Sequence, residues 1–199
     1  MSHKDLASFL AYATRTGLNP ASTVFVGTHY EYTVQASLRR YGFQLERTGG
    51  RSDLGIDLIG SWRIPLLTST PPSLSPPEIK ILVQCKSGVQ KIQPSMMREL
   101  AGAFVGAPSG WRGSGVLAFL VTEQAATRGT LDSLRRGQWP MGIVRCSRDG
   151  RVSQLVWNHM AQEAGLTGVE VGVARDGNED GLRARLLHNG RPIPLLNEE

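Results

Sequence analysis

Apolar positions along this chain change their spacing several times, and each change marks an element. Residues 5–17 read as a short helix that ends at Gly17, and Asn19-Pro20 breaks it. Tyr30, Val34, Leu38 and Tyr41 recur at helical spacing and predict a second helix that stops at Gly42. Thr28 and Glu31 have the spacing of a capping box and place its start at Thr28. Phe43 and Leu45 alternate with Gln44 and Glu46, which predicts a strand over 43–48 turned by Gly49-Gly50. A second strand is predicted over 55–60, running towards Ile64, and a third over 79–86.

Pro94 opens a helix whose face carries Met97, Leu100, Ala101 and Phe104. Residues 115–122 are almost continuously apolar, as in a strand buried on both faces. A helix over 124–136 and another buried strand over 140–146 follow. Asp149-Gly150 then predicts a hairpin into 152–157. A short helix over 159–165 and two pairing strands, 169–173 and 182–188, complete the chain. The order implies an α/β fold: a mixed sheet flanked by helices, its first strands an antiparallel meander and its later ones parallel. Three regions result: an N-terminal helical segment (1–26), a core (27–150) and a small β-rich extension (151–199). Residues 65–77 hold five of the 11 prolines and read as a loop insertion.

Composition narrows the function classes. With 199 residues, 40% hydrophobic and 20% charged, the chain is an ordinary globular protein of roughly one domain. No run approaches the ~18 apolar residues of a membrane span. Two cysteines and four histidines are too few and too scattered for a structural zinc site. The net charge is +5, and only four of the 22 basic residues are lysines. The first hundred residues carry 11 basic and 7 acidic groups, the remainder 11 and 10. An arginine-rich excess in the N-terminal half suits a polyanion such as nucleic acid, although a merely basic protein reads the same way. The N-terminus has no secretory h-region.

The chemistry concentrates on two adjacent strands. Asp57 sits among Ile56, Leu58 and Ile59, where a carboxylate is costly without compensation. The next strand ends in Gln84-Cys85-Lys86, with Gln84 and Lys86 on one face and Cys85 on the other. A carboxylate, an amide oxygen and a backbone carbonyl are hard ligands suited to magnesium or manganese. An adjacent lysine would orient water or balance charge on a phosphate. The alternative is a structural Asp57–Lys86 ion pair with Gln84 as a hydrogen-bonding neighbour. Cys85 reads as a small buried hydrophobe. Trp111, beside Arg112 in a Gly- and Ser-rich loop, either stacks on bases or anchors the loop; packing is also open to Trp62, Trp139 and Trp157.

Gly55-Ile56-Asp57 followed by Gln84-Cys85-Lys86 resembles the core of the PD-(D/E)xK nuclease superfamily. The wider pattern is similar to its Mrr-like branch, marked by a helix glutamate, Gly-Gly-x-x-Asp-x-Gly-Ile-Asp and Gln-x-Lys. Here these are Glu31, Gly49 to Asp57, and Gln84 to Lys86. Gly27 to Glu31, Arg98 to Phe104 and Val156-Trp157-Asn158 resemble the fungal mitochondrial "required for respiratory growth" group, the likeness spanning about residues 5–173. The resemblance implies a restriction-endonuclease-like fold that hydrolyses phosphodiesters with Mg2+ or Mn2+, in the mitochondrion, on DNA, with RNA an open alternative. Asp57 would be the central metal ligand, and Gln84 would stand where most of the superfamily has Glu or Asp. The Cys85 carbonyl would be a further ligand, Lys86 the catalytic lysine, and Glu31 a ligand through water or a second metal. Glu31 as capping-box partner of Thr28 is the other reading. Arg51, Asp53, Lys91, Trp111 and Arg112 are the candidates for contact with nucleic acid. A catalytically silent nuclease fold that binds nucleic acid or scaffolds a complex stays open, as does a homodimer.

Overall fold

The computed structural model describes residues 3–48, 55–65, 78–113, 115–175 and 181–196. The Gly49-Gly50 turn, Arg51, Asp53 and the proline-rich segment beyond Pro65 lie outside them.

Two helices open the chain, α1 (Leu6–Thr16) and α2 (Thr23–Arg39). α1 begins at Asp5, whose carboxylate accepts from Ser8 N–H while the Ser8 hydroxyl accepts from the Asp5 backbone. The capping box predicted at Thr28 and Glu31 is corrected: the N-cap of α2 is Ser22, six residues earlier, which accepts from Phe25 N–H. The sequence Thr23 to Gly27 has weak helix propensity, but Phe25 packs on Phe9 of α1 with ring centroids 5.3 Å apart. Tertiary packing therefore extends the helix past its local signal. The predicted stripe holds: Tyr30, Val34, Leu38 and Tyr41 are all buried.

The strands β1 (Phe43–Arg47), β2 (Leu58–Trp62) and β3 (Ile79–Lys86) form the antiparallel meander. α3 (Pro94–Gly106), β4 (Val116–Thr122), α4 (Arg128–Arg135) and β5 (Met141–Cys146) then make parallel crossovers, β3 to β4 and β4 to β5. β6 (Val152–Trp157) pairs antiparallel with β5, giving one six-stranded sheet in chain order. The Asp149-Gly150 turn thus lies inside the large sheet, and the boundary placed at residue 150 divides a hairpin. After the short α5 (His159–Ala161) and a π-helical turn over 162–166, β7 (Val169–Arg175), β8 (Leu182–His188) and β9 (Arg191–Pro192) form a separate three-stranded antiparallel sheet. The fold is a mixed sheet flanked by helices with a small β-rich addition, as the sequence predicts.

The large sheet separates two apolar layers. One holds Tyr30, Val34 and Leu38 of α2 with Leu117, Phe119 and Val121 of β4, and takes in Ala184 and Leu186 of the small sheet. The other holds Met97, Leu100 and Phe104 of α3 and Leu134 of α4 with Val116, Ala118 and Leu120 of the same strand. β4 is therefore buried on both faces. Trp62 is fully buried, stacked on Phe43 at 4.3 Å, and donates from Nε1 to Tyr41 O. Close backbone approach fixes the register at one point: a Cβ on Gly60 would lie 1.9 Å from Gln44 O. Among the described residues no helix is long and apolar enough to cross a membrane.

Candidate active site

The polar residues of β3 stand at its carboxyl end, beside the segment that leads into β2. Strand β2 begins at Leu58, later than the predicted 55, because Gly55 turns the chain at φ +81°. Thr48 fixes this turn: its hydroxyl donates to Ile56 O at 2.6 Å, and its N–H donates to Asp57 O. Asp57 N–H in turn donates to Val83 O at 2.8 Å. Its carboxylate is aimed at β3, where Oδ2 accepts from Cys85 N–H at 2.6 Å.

Gln84 is the adjacent polar group. Its side chain is only 7% exposed, and Oε1 is buried without a hydrogen-bond partner. An orphaned buried acceptor costs about 1–3 kcal/mol, so a group that binds this oxygen recovers that energy. The amide packs on bare backbone, since a Cβ at Gly55 would come within 2.9 Å of Gln84 Nε2. Gly55 is thus required both for its φ and for this approach. Lys86 lies two residues on, on the same face of β3. It is 39% exposed, with Nζ 3.7 Å from Glu99 Oε2 on α3. The structural-ion-pair alternative calls for a desolvated ammonium, and Lys86 is not desolvated. An exposed pair of this kind contributes little, at most about 1 kcal/mol, so the lysine is available to a ligand.

Glu31 projects from α2 and is 14% exposed. It forms an ion pair with Arg47 Nε of β1, and Arg47 also donates to Thr28 Oγ1 at 3.4 Å. The Cys85 thiol faces the α2-side layer. Burial pushes it well above the usual thiol range, and the charges of Asp57 and then Glu31 push it further. Cys85 is thus the small hydrophobe the sequence predicts.

Where β2 meets β3 the described oxygen donors are the Asp57 carboxylate, the buried Gln84 amide oxygen and the Cys85 carbonyl, a set whose chemistry suits a hard divalent cation. The donor set is lean. Among the described residues no three His, Cys, Asp or Glu side chains gather as a metal site.

The structure separates the candidates for nucleic-acid contact. Lys91 is exposed in the loop that follows Lys86, at the site's end of the sheet. Trp111 and Arg112 are at the other end. Lys80, the second residue of β3, donates to Gly110 O at 2.6 Å and sits over the Trp111 ring at 5.8 Å. Six residues of strand place them about 20 Å from Lys86. Arg112 donates from Nε to Ala107 O. Trp111 therefore anchors its loop. Trp139 stacks on Phe104 and Trp157 meets Trp62 edge-on, both packing roles.

Residues absent from the sequence reading complete the rim. Glu123 follows β4, inside the stretch next to the predicted 124–136 helix, which forms only over 128–135. Its Oε1 accepts from Gly88 N–H at 2.7 Å, and its Oε2 pairs with Arg148 at 2.9 Å. Gln124 Nε2 donates to Gly88 O. The loop after Lys86 is therefore fastened to the β5–β6 hairpin. Glu123, Arg47 and Thr48 carry no local signal, because their roles arise from strand pairing.

The second cysteine gives a pH prediction. Burial pushes the Cys146 thiol up to about 11. An unfolded thiol ionises near pH 8.5, so the unfolded chain loses its proton first. The contribution is fully present below that pH and is lost as pH rises towards 11, by about 3 kcal/mol. Denaturant titrations from pH 7 to about 10.5 should show wild-type stability falling above pH 9, and Cys146→Ala falling less. Equal declines in both proteins would remove this assignment.

The fold is thus a mixed α/β sheet that carries the candidate carboxylate, buried amide and ammonium at one strand end. The chain belongs to the Required for respiratory growth protein 7 family, whose profile matches residues 22–172. A mitochondrial protein of Schizosaccharomyces pombe is 35% identical over 164 residues, covering 81% of this chain and 62% of its own. The chain therefore spans less than two thirds of that relative. Required for respiratory growth protein 7 of Saccharomyces cerevisiae is 27% identical over 169 residues, 68% of this chain and 70% of its own. The mitochondrial location implied by the resemblance agrees with the names of these relatives. Among solved structures, the MspJI restriction endonuclease bound to a 27-mer oligonucleotide aligns at a TM-score of 0.38 and 14% identity, over 69% of this chain and 28% of its own.

Proposed function

We propose that this chain is a metal-dependent nuclease that hydrolyses phosphodiester bonds of DNA in the maintenance of mitochondrial DNA. The observation that carries this reading is the buried, unpartnered Gln84 Oε1 beside a carboxylate held by Cys85 N–H, with Lys86 on the same face. Asp57 and Gln84 would hold Mg2+ or Mn2+ together with the Cys85 carbonyl. When bound, such an ion supplies charge neutralisation at a phosphate and acidifies a water. Asp57 contributes the fixed negative charge. Its hydrogen bond from Cys85 N–H sets the carboxylate's direction, so little reorganisation is needed on binding. Lys86 lies at the exposed end of β3, where its ammonium would orient the attacking water and oppose charge that develops on the phosphate. Gln84, desolvated already, would bind without first losing a protein partner.

A second reading has its own observation. The described donor set holds one carboxylate, and Glu31 is engaged by Arg47. This favours a silent nuclease fold that binds nucleic acid or scaffolds a complex. Digestion of labelled single-stranded, duplex and branched DNA, and of matching RNA, with magnesium, manganese or EDTA separates the two. We expect DNA cleavage with either metal and none in EDTA. Full activity in EDTA would remove the metal assignment. Binding with no cleavage in any metal would decide for the silent fold, and faster cleavage of RNA would change the substrate.

A further inference from the structure

Strand register continues the polar row of the site beyond Lys86. Lys86 of β3 pairs with Thr122 of β4, Thr122 with Arg145 of β5, and Arg145 with Gln154 of β6. Alternation puts all four on the face that carries α3 and α4, in line with Leu82, Leu120 and Ile143 of that layer. The row crosses four strands at about 4.8 Å each, roughly 14 Å in all, along the carboxyl rim of the parallel strands. One step inward the same face is apolar: Leu120, Ile143 and Val156 are in line with Gln84. The polar row is therefore a rim that begins at the candidate cleavage residue and leads towards β6.

Its members are held in place. Thr122 is buried and donates to Gln124 O at 2.7 Å. Gln154 Oε1 accepts from Ala126 N–H. Arg145 is exposed, and its Nε donates to Glu123 O at 3.1 Å. That bond fixes the side chain and still leaves the guanidinium's two terminal amino groups for a ligand. A register shift falls directly after the Arg145–Gln154 pair, where β6 carries one residue more than β5. Nearby Arg148 differs, because the Glu123 carboxylate already answers its charge.

We propose that Arg145 binds a backbone phosphate of nucleic acid laid along this rim. The inference rests on the nucleic-acid reading of the site. An arginine fork suits a phosphate because it can donate two parallel hydrogen bonds. Arg145 lies two strands from Lys86, about 10 Å, far enough to meet a different phosphate of the same strand from the one at Lys86.

Fluorescence anisotropy with labelled duplex and single-stranded DNA, in EDTA and over a salt series, tests this on the full chain. Arg145→Gln keeps a donor for Glu123 O and removes the charge. We expect about 5- to 10-fold weaker binding near 0.1 M salt. The slope of log K against log salt should fall by about 0.9 on duplex or 0.7 on single strands. Arg145→Lys should retain the wild-type slope. Arg135→Ala, at the end of α4 that leads into the start of β5, should change neither quantity, and all variants should melt as wild type. Wild-type affinity and slope in Arg145→Gln, with DNA still bound, would overturn the assignment and leave the site reading standing. Absence of nucleic-acid binding by every protein would overturn both.

Discussion

Asp57→Asn should remove cleavage, by about 10³-fold or more, and with it the protein's response to metal. The substitution is nearly isosteric. An amide oxygen can still accept from Cys85 N–H, so the turn into β2 and its bonds from Thr48 remain intact. What disappears is the fixed negative charge. Two measurements therefore move together: the rate, and the rise in melting temperature that a bound ion gives the wild type, since a ligand at 100 times its Kd stabilises by about 2.7 kcal/mol. Lys86→Ala should separate them. Lys86 is 39% exposed and, among the described residues, is paired with Glu99 on a surface helix face, so its loss should leave the fold and the metal response in place. The rate should fall by roughly 10²-fold or more. A Lys86→Ala protein that unfolds, or an Asp57→Asn protein that keeps its metal-dependent melting shift, would show that the two side chains serve the fold instead.

How far this site was legible depends on which residues touch through strand pairing. Gln84, Cys85 and Lys86 form one short run, and simple alternation places the first and third together. Asp57 announces itself as a carboxylate among apolar neighbours. The succession of strands was equally legible, because β4 is almost wholly apolar, β5 is apolar but for Arg145, and β1 alternates. Glu31 was visible as a charged helix residue, yet its partner Arg47 is 16 positions away and meets it only once α2 lies across β1. Glu123 and Arg145 are in the same class. Glu123 stands outside the apolar run and Arg145 is a lone charge inside β5, and only the parallel register of β3, β4 and β5 brings them to the rim where Lys86 stands. The start of α2 was misplaced for a related reason. Thr28 and Glu31 have the right spacing for a cap, but Phe25 gains more by packing on Phe9 than the chain loses by extending a poor helical sequence.

Gln84 is where the chemistry and the family pattern diverge, and its variants should differ in sign. In the wild type, a neutral buried oxygen waits without a partner, a cost already carried by the folded state. Gln84→Ala removes that cost together with the side chain. Its melting temperature in EDTA should stay close to wild type, because the lost packing and the lost unsatisfied acceptor offset each other. Its cleavage should be the most damaged of the Gln84 series, since one of few ligands is gone. Gln84→Glu places a charge at a position 7% exposed. Without metal this carboxylate is desolvated beside Asp57, and the protein should melt earlier than wild type. With metal the charge–charge attraction that an amide lacks becomes available. Activity should then persist at a lower metal concentration, and the melting shift on adding metal should exceed that of the wild type. The reverse pattern, in which Gln84→Glu abolishes cleavage and DNA binding while metal still raises its melting temperature, would mean that Gln84 contacts substrate, because added negative charge repels a phosphate. Gln84→Ala cleaving at the wild-type rate with an unchanged metal requirement would mean that Asp57 and Lys86 act without it.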